Sequence, residues 1–146
     1  MSRSMVDINP DQKIELPVFE ETQMGISLGM ALAGDKVISI YPRFDFLLAA
    51  CNQLVNHADK IALMSDGHFK PTLIVRTGVG STEPLNGGPQ HTQNHSEAFK
   101  LLLPFSNVWE IEKTQNPLTV YGNILNKKGI HLVIEHFDFY GIAVNN

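Results

Sequence analysis

The chain has 146 residues, enough for one compact domain and too few for two. Hydrophobic residues make up 43% and charged residues 18%, a balance that builds a core and excludes disorder. A formal net charge of −4, with Lys and Arg scattered, argues against a nucleic-acid-binding face, and the lone Cys51 excludes an internal disulfide framework.

A single cysteine points to a reduced, cytoplasmic setting. No apolar run approaches the roughly 18 residues of a bilayer span. The polar segment 1–10 lacks the apolar stretch of a secretory leader. Residues 1–13 read as a loosely attached tail, and residues 14–146 as the single domain.

Ile14 to Val18 reads as a short extended run, held out of helix by Pro17 acting on Leu16. Glu20 to Ala33 then reads as a helix with Met24, Leu28 and Leu32 on one face and Gly34 as its stop. Its small residues Gly25, Ser27, Gly29, Ala31 and Ala33 suggest close packing. Lys36 to Tyr41 is a strand. Phe44 to about Leu63 reads as a longer helix, with Leu47, Ala50, Leu54, Ala58 and Ile61 on one face. Pro71 to Arg76 is a buried β-branched strand. Thr77 to Asn94 is a long Gly-, Pro- and Asn-rich loop, a kind that is usually functional or mobile. Ser96 to Leu103 is a short helix and Asn107 to Ile111 a strand. Asn116 looks like an N-cap, with Pro117 at the first helical position and Gly129 as the C-terminal stop. Ile130 to Glu135 is the last strand, followed by a tail.

Strands and helices alternate, and the strands are apolar on both faces. That pattern predicts a three-layer α/β domain, a mainly parallel sheet with helices on both faces and right-handed crossovers. Ligands of such sheets bind beyond the carboxyl ends of the strands. Glu20 follows the first extended run; Tyr41, Arg43 and Phe44 follow the second. Arg76 and the loop carrying His91 follow the third, and Thr114 and Gln115 the fourth. A parallel sheet would bring these groups to one edge.

Four segments carry a family resemblance. Leu16-Pro17-Val18-Phe19-Glu20, running on to Ala33-Gly34, is similar to the pyrimidine-domain signature of thiamine-diphosphate enzymes. Asp45-Phe46, Gln53-Leu54-Val55-Asn56, Ala58 and Lys60 resemble a helix of the 2-oxo-acid dehydrogenase beta subunit. Leu73-Ile74-Val75-Arg76 with Gly78 and Gly80 resembles its strand and Gly-rich loop. Gln90-His91-Thr92-Gln93 with Glu97-Ala98-Phe99 resembles its His-containing segment. The order holds over about residues 14 to 104. The chain thus resembles the pyrimidine-binding domain of the transketolase and 2-oxo-acid dehydrogenase beta-subunit superfamily, in a short stand-alone form.

The resemblance implies half of a shared site. Glu20 matches the acid that hydrogen-bonds the aminopyrimidine ring of thiamine diphosphate. Tyr41, Phe44 and Arg76 fall with it in the cofactor-binding set, the two aromatics as packing for the ring. His91 matches a catalytic His on the substrate side, with a pKa range suited to proton transfer. No Gly-Asp-Gly motif is present. The resemblance therefore implies a partner, an alpha-type subunit that carries Gly-Asp-Gly and holds Mg²⁺ through hard oxygen ligands. Glu21-Thr22 stands where the family usually has Gln-Gly, and the family's first strand and helix precede the Glu segment. These departures leave open a shortened, catalytically silent relative that acts in assembly.

Other chemistry has thinner support. His91 and His95 are four residues apart, but no third zinc ligand is obvious. Gly78-Val79-Gly80 lacks the Gly-Lys-Ser/Thr of a phosphate loop. No metal held by this chain itself is expected.

Overall fold

The computed structural model describes residues 7–142. Four strands, β1 (Lys36–Tyr41), β2 (Thr72–Val79), β3 (Asn107–Glu110) and β4 (Gly129–His136), form one sheet in the order β1-β2-β4-β3. All three pairings are parallel. Parallel neighbours need long crossovers, and helices supply them. The helices are α1 (Glu20–Leu32), α2 (Phe44–Leu47), α3 (Ile61–Met64), α4 (Ser96–Leu102) and α5 (Pro117–Leu125).

Alternation along the strands divides the core in two. Leu73, Val75 and Val79 of β2, with Ile130, Leu132 and Ile134 of β4, pack under α1, α2 and α4 through Met24, Leu28, Phe44, Leu47 and Phe99. Ile74 and Val133 face the other way and pack with Ile111, Ile124 and Tyr121. The three-layer α/β arrangement is therefore present, with helices on both faces of the sheet.

The buried face of α1 consists of Met24, Ser27, Leu28 and Ala31. Leu32, expected on that face, is exposed. The small side chains let the helix approach β1 closely. Ser27 Oγ donates to Ser39 Oγ at 2.9 Å, and Gln23 Nε2 reaches Ser39 Oγ at 3.1 Å and the Ile40 carbonyl at 3.0 Å. Gly34, at φ +112°, ends the helix in a conformation that favours glycine. Asn116 caps α5, its side-chain oxygen accepting from the Leu118 amide at 3.0 Å. That helix stops at Leu125, and Gly129 opens β4 rather than closing the helix.

Four expectations need correction. Ile14–Val18 forms no strand; it lies outside the sheet, with Ile14 and Val18 exposed. The helix expected over 44–63 is broken. After α2 come a 3-10 turn (Leu48–Ala50), a π-helical stretch (Asn52–Ala58) and α3. β2, expected to end at Arg76, extends three residues further, so the long loop begins after Val79. Beyond β4, Phe137–Phe139 forms a 3-10 turn that packs back on the domain where a tail was expected. Of the tail expected over 1–13, residues 1–6 lie outside the described residues. Residues 7–13 are largely exposed and include a 3-10 turn at Pro10–Gln12.

Candidate functional site

The sheet order decides which candidates meet. β1 and β2 are neighbours, so Tyr41 stands beside Thr77 at their carboxyl ends. Arg43 and the His91 loop converge there. β3 lies at the opposite sheet edge, beyond β4. Thr114 and Gln115 follow β3, and Gln115 Oε1 accepts from the Glu112 amide in a local turn. These two therefore stay apart from the other candidates.

Glu20 is the first residue of α1. The Tyr41 hydroxyl donates to its backbone carbonyl at 3.2 Å, tying the helix start to the end of β1. The Glu20 carboxylate makes no hydrogen bond with any described residue, so it is open to a ligand. Glu21 is occupied elsewhere: Asn52 Nδ2 donates to its Oε1 at 2.8 Å. The second carboxylate thus stitches α1 to the π-helical segment. Burial, then the charges of Glu20 and Glu21, push the Tyr41 phenol up to about 12, so it stays a neutral donor.

Tyr41 and Phe44 were expected to flank a ligand ring. Both lie inside the core, Tyr41 at 1% and Phe44 at 0% exposure. Phe44 packs on Phe99, with ring centroids 5.0 Å apart, and meets His95 edge-on at 5.5 Å. Phe44 presents no ring face outside the domain. Phe46, two residues on, is 40% exposed and meets the His91 ring edge-on at 5.3 Å. Periodicity concealed it, because Phe46 was read only as part of a helix.

His91 is partly buried, and its Nδ1 has no hydrogen-bond partner among the described residues. Its carbonyl accepts from Arg43 Nη1 at 3.3 Å. The following residues are pinned as well, since Gln93 Nε2 donates to Asp45 Oδ1 at 2.8 Å.

Arg76, expected to bind cofactor, is held by Glu135. Nε donates to Oε1 at 2.8 Å and Nη2 to Oε2 at 2.9 Å. The Tyr121 hydroxyl adds a bond to Oε1 at 2.6 Å, and the Tyr140 hydroxyl donates to Oε2. Burial raises the Glu135 carboxyl, but Arg76 and the two tyrosines outweigh it and hold it below the usual carboxylate range. Burial, then the same carboxylate, drives the Tyr121 phenol well above its ordinary value. Sequence reasoning passed over Glu135, Tyr121 and Tyr140 as functional candidates. A carboxylate ending an otherwise apolar strand was the available signal, because a buried Arg on the neighbouring strand requires a partner.

Among the described residues no group of three or more His, Cys, Asp or Glu could hold a metal, and no helix is long and apolar enough to cross a membrane.

The all-parallel α/β domain thus brings the Glu20 carboxylate, the His91 loop and the Arg43 guanidinium to one sheet edge. No protein-family model matches the chain. Among curated proteins it is similar to the pyruvate dehydrogenase E1 component subunit beta of Rickettsia conorii, 29% identical over 103 residues, 66% of this chain and 31% of that protein. The mitochondrial E1 beta subunit of Saccharomyces cerevisiae is 29% identical over 113 residues, 73% of this chain and 30% of that protein. The pyruvate dehydrogenase E1 component subunit beta of Gracilaria tenuistipitata is 25% identical over 129 residues, 88% of this chain and 39% of that protein. The chain is thus distantly related to E1 beta subunits, and spans about a third of the length of these relatives.

Proposed function

We propose that this chain supplies the aminopyrimidine-binding half of a shared thiamine-diphosphate site in an enzyme acting on a 2-oxo substrate, of the 2-oxo-acid dehydrogenase beta or transketolase type. The observation that carries this reading is the Glu20 carboxylate, without a hydrogen bond among the described residues, at the start of α1, whose backbone Tyr41 ties to the carboxyl end of β1. The distant similarity to E1 beta subunits supports it. The cofactor supplies carbanion stabilisation when bound. Glu20 hydrogen-bonds the pyrimidine ring and orients it. Tyr41 acts from beneath, fixing the helix start rather than stacking on the ring. Phe46 and His91 line the substrate side, where His91 moves or holds a proton. Arg76 serves the site indirectly, by joining β2 to β4. An alpha-type partner carrying Gly-Asp-Gly holds the diphosphate and Mg²⁺.

The test is Glu20→Gln, assayed after assembly with the partner. Turnover of a 2-oxo acid should disappear while the variant unfolds at the same denaturant midpoint as the parent. Full turnover by the variant would refute the assignment. In that case the reading left is an assembly protein without catalytic function.

A further inference from the structure

The Arg43 guanidinium is held on three sides. Nη1 donates to the His91 carbonyl, and the guanidinium carbon lies 5.0 Å from the centre of the Phe137 ring. The backbone at Gly80 comes so close that a Cβ there would fall 2.3 Å from Nη1. Despite this support, no carboxylate pairs with Arg43 among the described residues. Among the described residues its Nε and Nη2 reach no acceptor, and the residue is only partly buried. Arg76, one strand away, shows the contrast, with its fork closed on Glu135. A fixed guanidinium with open donors is preorganised for a planar anion, because little freedom remains to be lost on binding. Charge-assisted, two-point hydrogen bonds to a carboxylate suit that geometry. The position is also apt: Arg43 follows β1 at the carboxyl edge of the sheet, beside the His91 loop.

We infer that Arg43 is a binding residue for a small carboxylate, gripping through Nε and Nη2 the carboxyl group of a 2-oxo acid. The anion site stands on the geometry alone. The choice of a 2-oxo acid rests on the function proposed above.

The full chain is titrated with pyruvate while the Arg43 Nε–H resonance is followed by NMR. The resonance should shift saturably with pyruvate, and not with methyl pyruvate, which keeps the ketone and lacks the charge. Arg43→Gln should abolish saturable binding, and Arg43→Lys, which keeps the charge without the fork, should weaken it about tenfold. Equal shifts with methyl pyruvate, or with chloride at matched ionic strength, overturn the site, and this comparison needs no variant. Unchanged pyruvate binding by folded Arg43→Gln does the same. Acetate binding as tightly as pyruvate overturns the 2-oxo-acid assignment. If pyruvate binds through Arg43 while Glu20→Gln retains turnover in the assembled enzyme, the carboxylate site holds and the cofactor reading fails.

Discussion

Arg76 and Glu135 face each other across β2 and β4 and close two hydrogen bonds, 2.8 Å at Nε and 2.9 Å at Nη2. Their side chains are 16% and 7% exposed. Tyr121 from α5 and Tyr140 from the C-terminal segment donate to the same carboxylate. One carboxylate therefore joins two strands, a helix and the chain's last described turn.

Replacing Glu135 with Gln keeps the shape but removes the negative charge that two Arg76 nitrogens meet in a mostly dry site. Breaking a buried pair from one side costs about 3–5 kcal/mol. Urea unfolding of Glu135→Gln should show a midpoint lowered by that amount of stability, with an unchanged slope. A loss under about 0.5 kcal/mol, the range of ordinary surface substitutions, would mean the pair is not closed in solution.

The same pair sets an acid limit. The folded Glu135 carboxyl is held below its unfolded value, so the unfolded chain takes up the proton first as pH falls. Its contribution is complete above the unfolded carboxylate pKa of about 4.3 and is lost as pH drops through the lower folded value. Glu110, bonded to Lys100, His136 and Ser96, is lowered as well and acts in the same direction. Stability measured from pH 6 down to pH 3 should fall with a slope that Glu135→Gln makes shallower. An identical slope in the variant would remove Glu135 from the acid transition.

β1, β2 and β4 were legible in the sequence because each is a short run rich in β-branched residues, and Lys36–Tyr41 falls where it was expected. The break in the second helix was not. Leu47, Ala50, Leu54 and Ala58 are all buried, as a regular helix would also have them. What widens the helix is a remote contact. The Asp59 amide bonds the Leu54 carbonyl five residues back, and the Asp59 carboxylate turns inward to accept from Ser106 Oγ at 2.7 Å and the Phe105 amide at 3.1 Å. A partner 47 residues away leaves no mark in local periodicity. The site divides in the same manner. Arg43 and His91 could be placed after strand ends from element order alone, whereas Glu20 lies at the start of α1 with no strand before it. That Phe44 is enclosed and Phe46 is open depends on how α2 packs against α4, a tertiary fact.

Gly80 and Gly29 should respond oppositely to the same change. At Gly80 an added Cβ would lie 2.0 Å from the His91 carbonyl oxygen and 2.3 Å from Arg43 Nη1. Neither can be met without moving the loop or the guanidinium. Overpacking of this kind costs about 1–3 kcal/mol. At Gly29, in α1, nothing lies within 4 Å of the added atom. Alanine there restricts the unfolded chain and should stabilise by about 0.4–1 kcal/mol. Thermal unfolding should therefore separate Gly80→Ala from Gly29→Ala on either side of the parent. Hydrogen exchange localises the effect: amides over 81–92 should exchange faster in Gly80→Ala alone, because the bond between Arg43 and the His91 carbonyl anchors that loop. Unchanged exchange there would mean that the loop does not rest on Arg43, and the support argued for its guanidinium would go with it.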